Sequence, residues 1–242
     1  MSVDPGAVVL GAAACGAAGL LVPALIARIP EPDADPEHDV VTEDPGAPSY
    51  AEVAAAPGLR SVAAVLSLVA GGLVGAGVGL DWPLLFLLPL VPVGVALAVV
   101  DLRTRLLPTV VVWPTLAATA VLAVLSGLLD DDQDALVRAG LGGVVVFALF
   151  FALWWIHPAG MGYGDVRLSA VLGLALGYLG WAELAIGIYG GFLAFSVPGL
   201  LLALLRRDRA ILRAAYPFGP FLLAGALAGV VLGPLWTGLA SG

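Results

Sequence analysis

Two aspartates stand where membrane-length apolar runs end: Asp101, opening DLRTRLLP, and Asp165, closing GMGYGD. A carboxylate in that setting is costly and marks a functional position unless something simpler accounts for it. Two carboxylates sharing one proton can hydrolyse an amide. The ionised one draws a proton from water, while the protonated one polarises the carbonyl and then helps the amine leave. Their mutual repulsion separates their proton affinities, which suits the two roles. Such chemistry calls for no metal and no other cofactor. Gly160, Gly162 and Gly164, with Tyr163 among them, surround the second acid. Their missing side chains would let an extended substrate come close. Simpler accounts stand beside this one. Asp101 could pair with Arg103 or Arg105, and Asp165 could be the N-cap of the helix that follows it.

The elements that must hold these acids are hydrocarbon. Of 242 residues, 61% are hydrophobic and only 12% charged, which excludes a soluble globule. Apolar runs recur at the length that crosses a bilayer core of about 30 Å. They predict spans over 7–26, 61–80, 84–100, 109–128, 139–156, 166–178, 182–205 and 221–237. The expected fold is therefore all-α, a polytopic membrane bundle of about eight transmembrane helices whose first partner is the lipid bilayer. A single cysteine, Cys15, leaves no disulfide and no multi-cysteine zinc site. The net charge of -8 comes from local acids and says little about partners; no nucleic acid is expected.

No basic residue precedes the first run, whereas Arg28 follows it. That reads as a retained span with its N-terminus outside, not a secretory signal. Eight crossings then place Arg28, Arg60, Arg103, Arg105, Arg167, Arg206, Arg207, Arg209 and Arg213 in or beside cytoplasmic loops, and only Arg138 outside. This is the asymmetry that orients membrane proteins. The chain contains no lysine. Two crossings separate Asp101 from Asp165, so both belong at the same, cytoplasmic edge. Paired glycines (Gly71-Gly72, Gly142-Gly143, Gly190-Gly191) suggest close helix packing. Pro89, Pro92 and Pro198 lie inside spans, and the tryptophans at span ends read as interfacial anchors.

The chain divides into a first transmembrane helix (1–27), an acidic, proline-rich cytoplasmic loop (28–60) and a membrane-embedded domain (61–242) carrying both acids. The loop's composition cannot build a packed core and is expected to be flexible. His38 within it reads as solvated, and His157 as an interfacial side chain.

The run Gly160-Met-Gly-Tyr-Gly-Asp165-Val-Arg-Leu168 resembles the Gly-x-Gly-Asp motif of bacterial type IV prepilin leader peptidases, which are intramembrane aspartyl proteases. Asp101 to Pro108 is similar to that family's first catalytic block, and Pro217-Phe-Gly-Pro-Phe221 to a third. The resemblance implies that Asp101 and Asp165 are the catalytic pair and that Gly160, Gly162, Tyr163 and Gly164 form the active-site loop. It implies an endopeptidase of the bacterial inner membrane that removes the leader of prepilin-like membrane proteins at the cytoplasmic face, in pilus assembly or protein secretion. The loop after the first span lacks the paired Cys-x-x-Cys of larger members, so zinc is not expected and N-methylation of the product is expected to be absent. Since prepilin leaders are typically basic, the loop's acids could steer substrate; an inert linker is the plainer account. Self-association is left open. The rival readings are a proton-coupled carrier using the same acids as a relay and a catalytically silent assembly protein.

Overall fold

The computed structural model describes residues 3–31, 48–158, 161–206 and 216–240, and every regular element among them is helical. The elements are α1 (Pro5–Gly19), α2 (Val22–Ile26), α3 (Tyr50–Ala54), α4 (Leu59–Val78), α5 (Leu84–Thr104), α6 (Thr109–Leu129), α7 (Gln133–Ile156), α8 (Tyr163–Leu179), α9 (Trp181–Arg206) and α10 (Gly219–Ala240). Six of them, α4, α5, α6, α7, α9 and α10, are long and apolar enough to cross a membrane. The first and sixth predicted spans are the shorter ones. The first is broken into α1 and α2 by a turn at Leu20-Leu21, with Pro23 at the start of the second piece. The sixth, α8, has 17 residues, a rise of roughly 25 Å.

That short helix is the centre of the bundle. Most of its residues are buried, and it packs on α6, α7, α9 and α10. Lipid never has to match its length. The outward faces of the other helices carry Val121, Leu128, Val144 and Leu193 largely exposed, as an apolar surface meant for hydrocarbon should be. With lipid as apolar as leucine, burial alone does not hold such helices together; close van der Waals contact does. The paired glycines supply it through one member each. Gly142 of α7 meets Gly173 of α8, where an added Cβ would lie 2.5 Å from the Gly173 carbonyl oxygen. Gly71 of α4 meets Gly11 of α1, and Gly191 of α9 meets Gly225 of α10. All three pairs run antiparallel, since rising positions on one helix meet falling positions on the other.

The acidic loop departs from expectation at its ends. Ser49 and Glu52 form a reciprocal capping box that starts α3. Glu31 accepts a hydrogen bond from the Ala51 N–H at 3.3 Å. Tyr50 and Val53 then pack with Ile26, Ile29, Ala96 and Val100 in a buried cluster behind the end of α5. Two of the acids counted as free loop charge are thus committed to local structure. Capping and burial override composition here. Residues 32–47, with His38 and the remaining loop acids, lie outside the described residues.

The helix contacts give a stability prediction. Gly173→Val puts a branched side chain against Gly142 and should destabilise the bundle by about 1–3 kcal/mol, the usual cost of overpacking. Gly140, on α7 with nothing within 4 Å of an added Cβ, should accept alanine with Tm unchanged. Thermal unfolding of both variants in lipid nanodiscs checks the contrast; equal losses would show that the glycine contact does not carry the pairing.

Candidate active site

Asp101 lies in the last turn of α5 and is 4% exposed. An acid at a helix C-terminus faces the wrong end of the macrodipole, so a capping role does not explain it. Arg103 and Arg105 are exposed, and the ion pair considered for Asp101 does not form. Instead the backbone N–H of Gly219, the first residue of α10, donates to Asp101 Oδ2 at 3.0 Å. The carboxylate of one helix end therefore sits on the amide-rich start of another, where a negative charge is favoured. The contact is close: a Cβ at Gly219 would stand 2.8 Å from Oδ2, so a larger residue there would displace the carboxylate.

Asp165 is 6% exposed and is not an N-cap. The helix starts a turn earlier than the hydropathy suggested, with Gly162 as its cap and Asp165 in its first turn. The acid is thus held on a helix, not in the loop. Its N–H donates to the Gly162 carbonyl at 3.1 Å. Gly162 stays against its side chain, 3.4 Å from Oδ2 at the position of an added Cβ. Asp165 Oδ1 is buried with no hydrogen-bond partner among the described residues.

The two acids share one end of the bundle, each beside the α5–α6 turn. Leu107, in the α5–α6 turn, is what joins them. A Cβ at Gly164 would lie 2.6 Å from Leu107 Cβ, and one at Gly219 would lie 3.4 Å from Leu107 Cδ1. One leucine therefore touches both the helix start that carries Asp165 and the helix start that holds Asp101. Gly164 is explained by this contact; access for substrate is not needed to account for it. Tyr163 packs on Trp154 with ring centroids 4.9 Å apart, so that tryptophan is a packing residue as well as a span-end residue. Gly160 lies outside the described residues. His157 is the exposed C-cap of α7.

The third block forms the support. Phe218 packs against Phe150, Phe192 and Phe195, which anchors the residue just before Gly219. The sequence offered Gly219 only as part of the block at 217–221 and did not single out Leu107. A glycine flanked by prolines at a helix start was the available signal. A polar cavity of about 210 Å³ lies at the opposite end, lined by Asp81, Asp130, Arg138, Tyr178 and the buried Glu183, away from both aspartates. Among the described residues, no three His, Cys, Asp or Glu side chains are grouped as metal ligands would be.

The family model of type IV leader peptidases matches residues 88–237, a stretch that contains both aspartates, Leu107 and Gly219. The prepilin leader peptidase/N-methyltransferase of Aeromonas hydrophila is 34% identical over 172 residues, 70% of this chain and 54% of that protein. The protein of the same name from Escherichia coli strain K12 is 33% identical over 132 residues, 54% of this chain and 56% of its own length. Leader peptidase HopD of Escherichia coli is 35% identical over 127 residues, 48% of this chain and 75% of that protein. The chain spans about half the length of the two relatives that carry the double name. No solved structure matches it.

Proposed function

Because the chain belongs to the type IV leader peptidase family, we propose that it is an intramembrane aspartic endopeptidase that cuts the leader from prepilin-like membrane proteins. Asp101 and Asp165 carry the reaction between them. One carboxylate, ionised, takes a proton from water as the water attacks the scissile carbonyl. The other, protonated, hydrogen-bonds the carbonyl oxygen and then returns a proton to the departing amine. The observation that supports this most is the pair of buried carboxylates brought to one end of the bundle by the Leu107 contacts. Neither acid is neutralised by an arginine among the described residues.

The Gly219 N–H holds Asp101 in one orientation and leaves Oδ1 for water or substrate. Position within the membrane favours a protease over a carrier. Both acids sit in terminal turns of their helices, where a substrate chain leaving the bilayer would meet them, and not mid-helix between repeated halves. The inner membrane and a cytoplasmic cut are part of the same proposal, supported by the arginine asymmetry of the loops. The domain reading follows: residues 61–242 as the peptidase unit, with 1–27 as a further transmembrane element and 28–60 as its cytoplasmic connection.

The expected absence of methylation finds no support in the comparisons, since relatives at 33–34% identity are named for both activities. The mass of the new N-terminus after cleavage, with a methyl donor supplied, decides that point.

The dyad makes three predictions for purified protein cutting a co-reconstituted prepilin. Asp101→Asn and Asp165→Asn should each lower the cleavage rate by about 10²–10⁴-fold while the protein still inserts. Full processing by either variant removes the mechanism. The rate should fall at both ends of the pH range, because one carboxyl must be ionised and its neighbour protonated; the limbs belong to the pair. A profile flat on one side would mean that a single group suffices. Gly219→Ala, with its Cβ against Asp101 Oδ2, should cut kcat by about tenfold or more with little change in KM; wild-type kcat would mean that the Gly219 contact orients nothing.

A further inference from the structure

Arg167 follows Asp165 by two positions, so on α8 the two side chains do not share a face. Its guanidinium has no carboxylate partner among the described residues. Instead Nη1 donates to Thr109 Oγ1, at the first residue of α6. The same guanidinium lies over the Tyr163 ring, 4.5 Å from its centroid. That ring rests in turn on Trp154, near the end of α7, at an interplanar angle of 54°. A single side chain thus ties the start of α6, the end of α7 and the first turn of α8. These elements follow the 105–108 turn after Asp101 and stand on either side of residues 157–162 before Asp165.

We propose that Arg167 is a positioning residue: its guanidinium, held between Thr109 and the Tyr163–Trp154 ring pair, sets the first turn of α8 against α6 and so fixes where Asp165 faces Asp101. The proposal rests on the reading that the two aspartates act together on one peptide bond. It deepens that reading by naming what keeps the second acid in place. The geometry asks for arginine specifically. A planar guanidinium can stack on a ring with its face while an edge nitrogen donates to a hydroxyl; a lysine ammonium is a compact point charge with no such fork. If Arg167 served only as a loop charge that orients the protein in the membrane, lysine would do as well.

The test uses the full chain in lipid nanodiscs with Arg167→Lys, Tyr163→Leu, Thr109→Val and Thr109→Ser. Two readouts are taken: hydrogen exchange of the amides from Gly164 to Leu168, and kcat and KM for leader cleavage. Arg167→Lys, Tyr163→Leu and Thr109→Val should each speed exchange in that turn and lower kcat about tenfold or more, with KM within about twofold, as misplacement of a reacting group does. Thr109→Ser keeps the hydroxyl and should restore both values. Asp165→Asn should abolish cleavage without speeding exchange, which separates loss of the reacting group from loss of its support. Wild-type exchange in Arg167→Lys overturns the clamp, and faster exchange with unchanged kcat overturns its positioning role. Should the unaltered chain cut no prepilin, the peptidase reading falls, while the exchange comparison still decides whether Arg167 holds α8.

Discussion

A carboxylate in the apolar interior of a helical bundle needs donors, and in this fold the donor to Asp101 comes from the backbone of a different helix. The Gly219 N–H at 3.0 Å from Asp101 Oδ2 links residues 118 positions apart. It can form only if the start of α10 lies flush against the end of α5. Everything near that contact is arranged to allow it. Gly219 has no Cβ, the phenylalanines around Phe218 fix the approach of α10, and Leu107 fills the space beside it. A hydrogen bond to a charged group is worth about 1.5–3 kcal/mol. That is comparable to disturbing one close helix–helix contact, so this bond helps choose the register of α10.

The same leucine couples that choice to the other acid. Gly164 touches Leu107 more tightly than any larger residue could, and Gly164 immediately precedes Asp165. A displacement of the α5–α6 turn would thus disturb both carboxylates together. The glycines of the motif look from sequence like room for a substrate. In the folded chain Gly164 is room for a neighbouring leucine, and Gly162 is a helix cap that sits against the acid. Small residues near a reactive group can serve its support as readily as its access.

How much of this was legible follows from what each signal measures. Hydropathy reports whether a segment faces hydrocarbon, so every predicted span is helical, though the first is broken in two. Six helices among the described residues are long and apolar enough to cross a membrane. The two acids fall at one end of the bundle. It does not report where backbone hydrogen bonding begins. Tyr163 and Gly164 join α8 because Gly162 caps it, which moves Asp165 from loop to helix. Composition misjudged 48–60, where Ser49 and Glu52 cap a short helix and Tyr50 finds a buried place. Glu183 was passed over because one acid barely lowers the hydropathy of a long run; its burial depends on α8 and α10 lying across it. The Gly219 and Leu107 contacts were beyond reach for a common reason. Each joins positions far apart in sequence, and neither residue type advertises a partner.

The placement of the two acids on their helices bears on how a substrate could reach them. Asp101 ends α5 and Asp165 begins α8, so one carboxylate hangs from a closing helix and the other from an opening one. Between them lies a turn, 105–108, in which Arg105 takes a left-handed conformation (φ 57°) and its N–H closes back on the Asp101 carbonyl at 2.8 Å. That hydrogen bond uses the Asp101 backbone to end the helix and leaves its carboxylate free for Gly219. A chain emerging from the bilayer beside this end would meet helix termini and turns, where peptide groups are not all committed to intrahelical bonds. An extended segment could hydrogen-bond there, whereas the sides of the helices offer it only hydrocarbon. The acids thus stand at an end of the bundle, beside backbone groups that an extended segment could pair with.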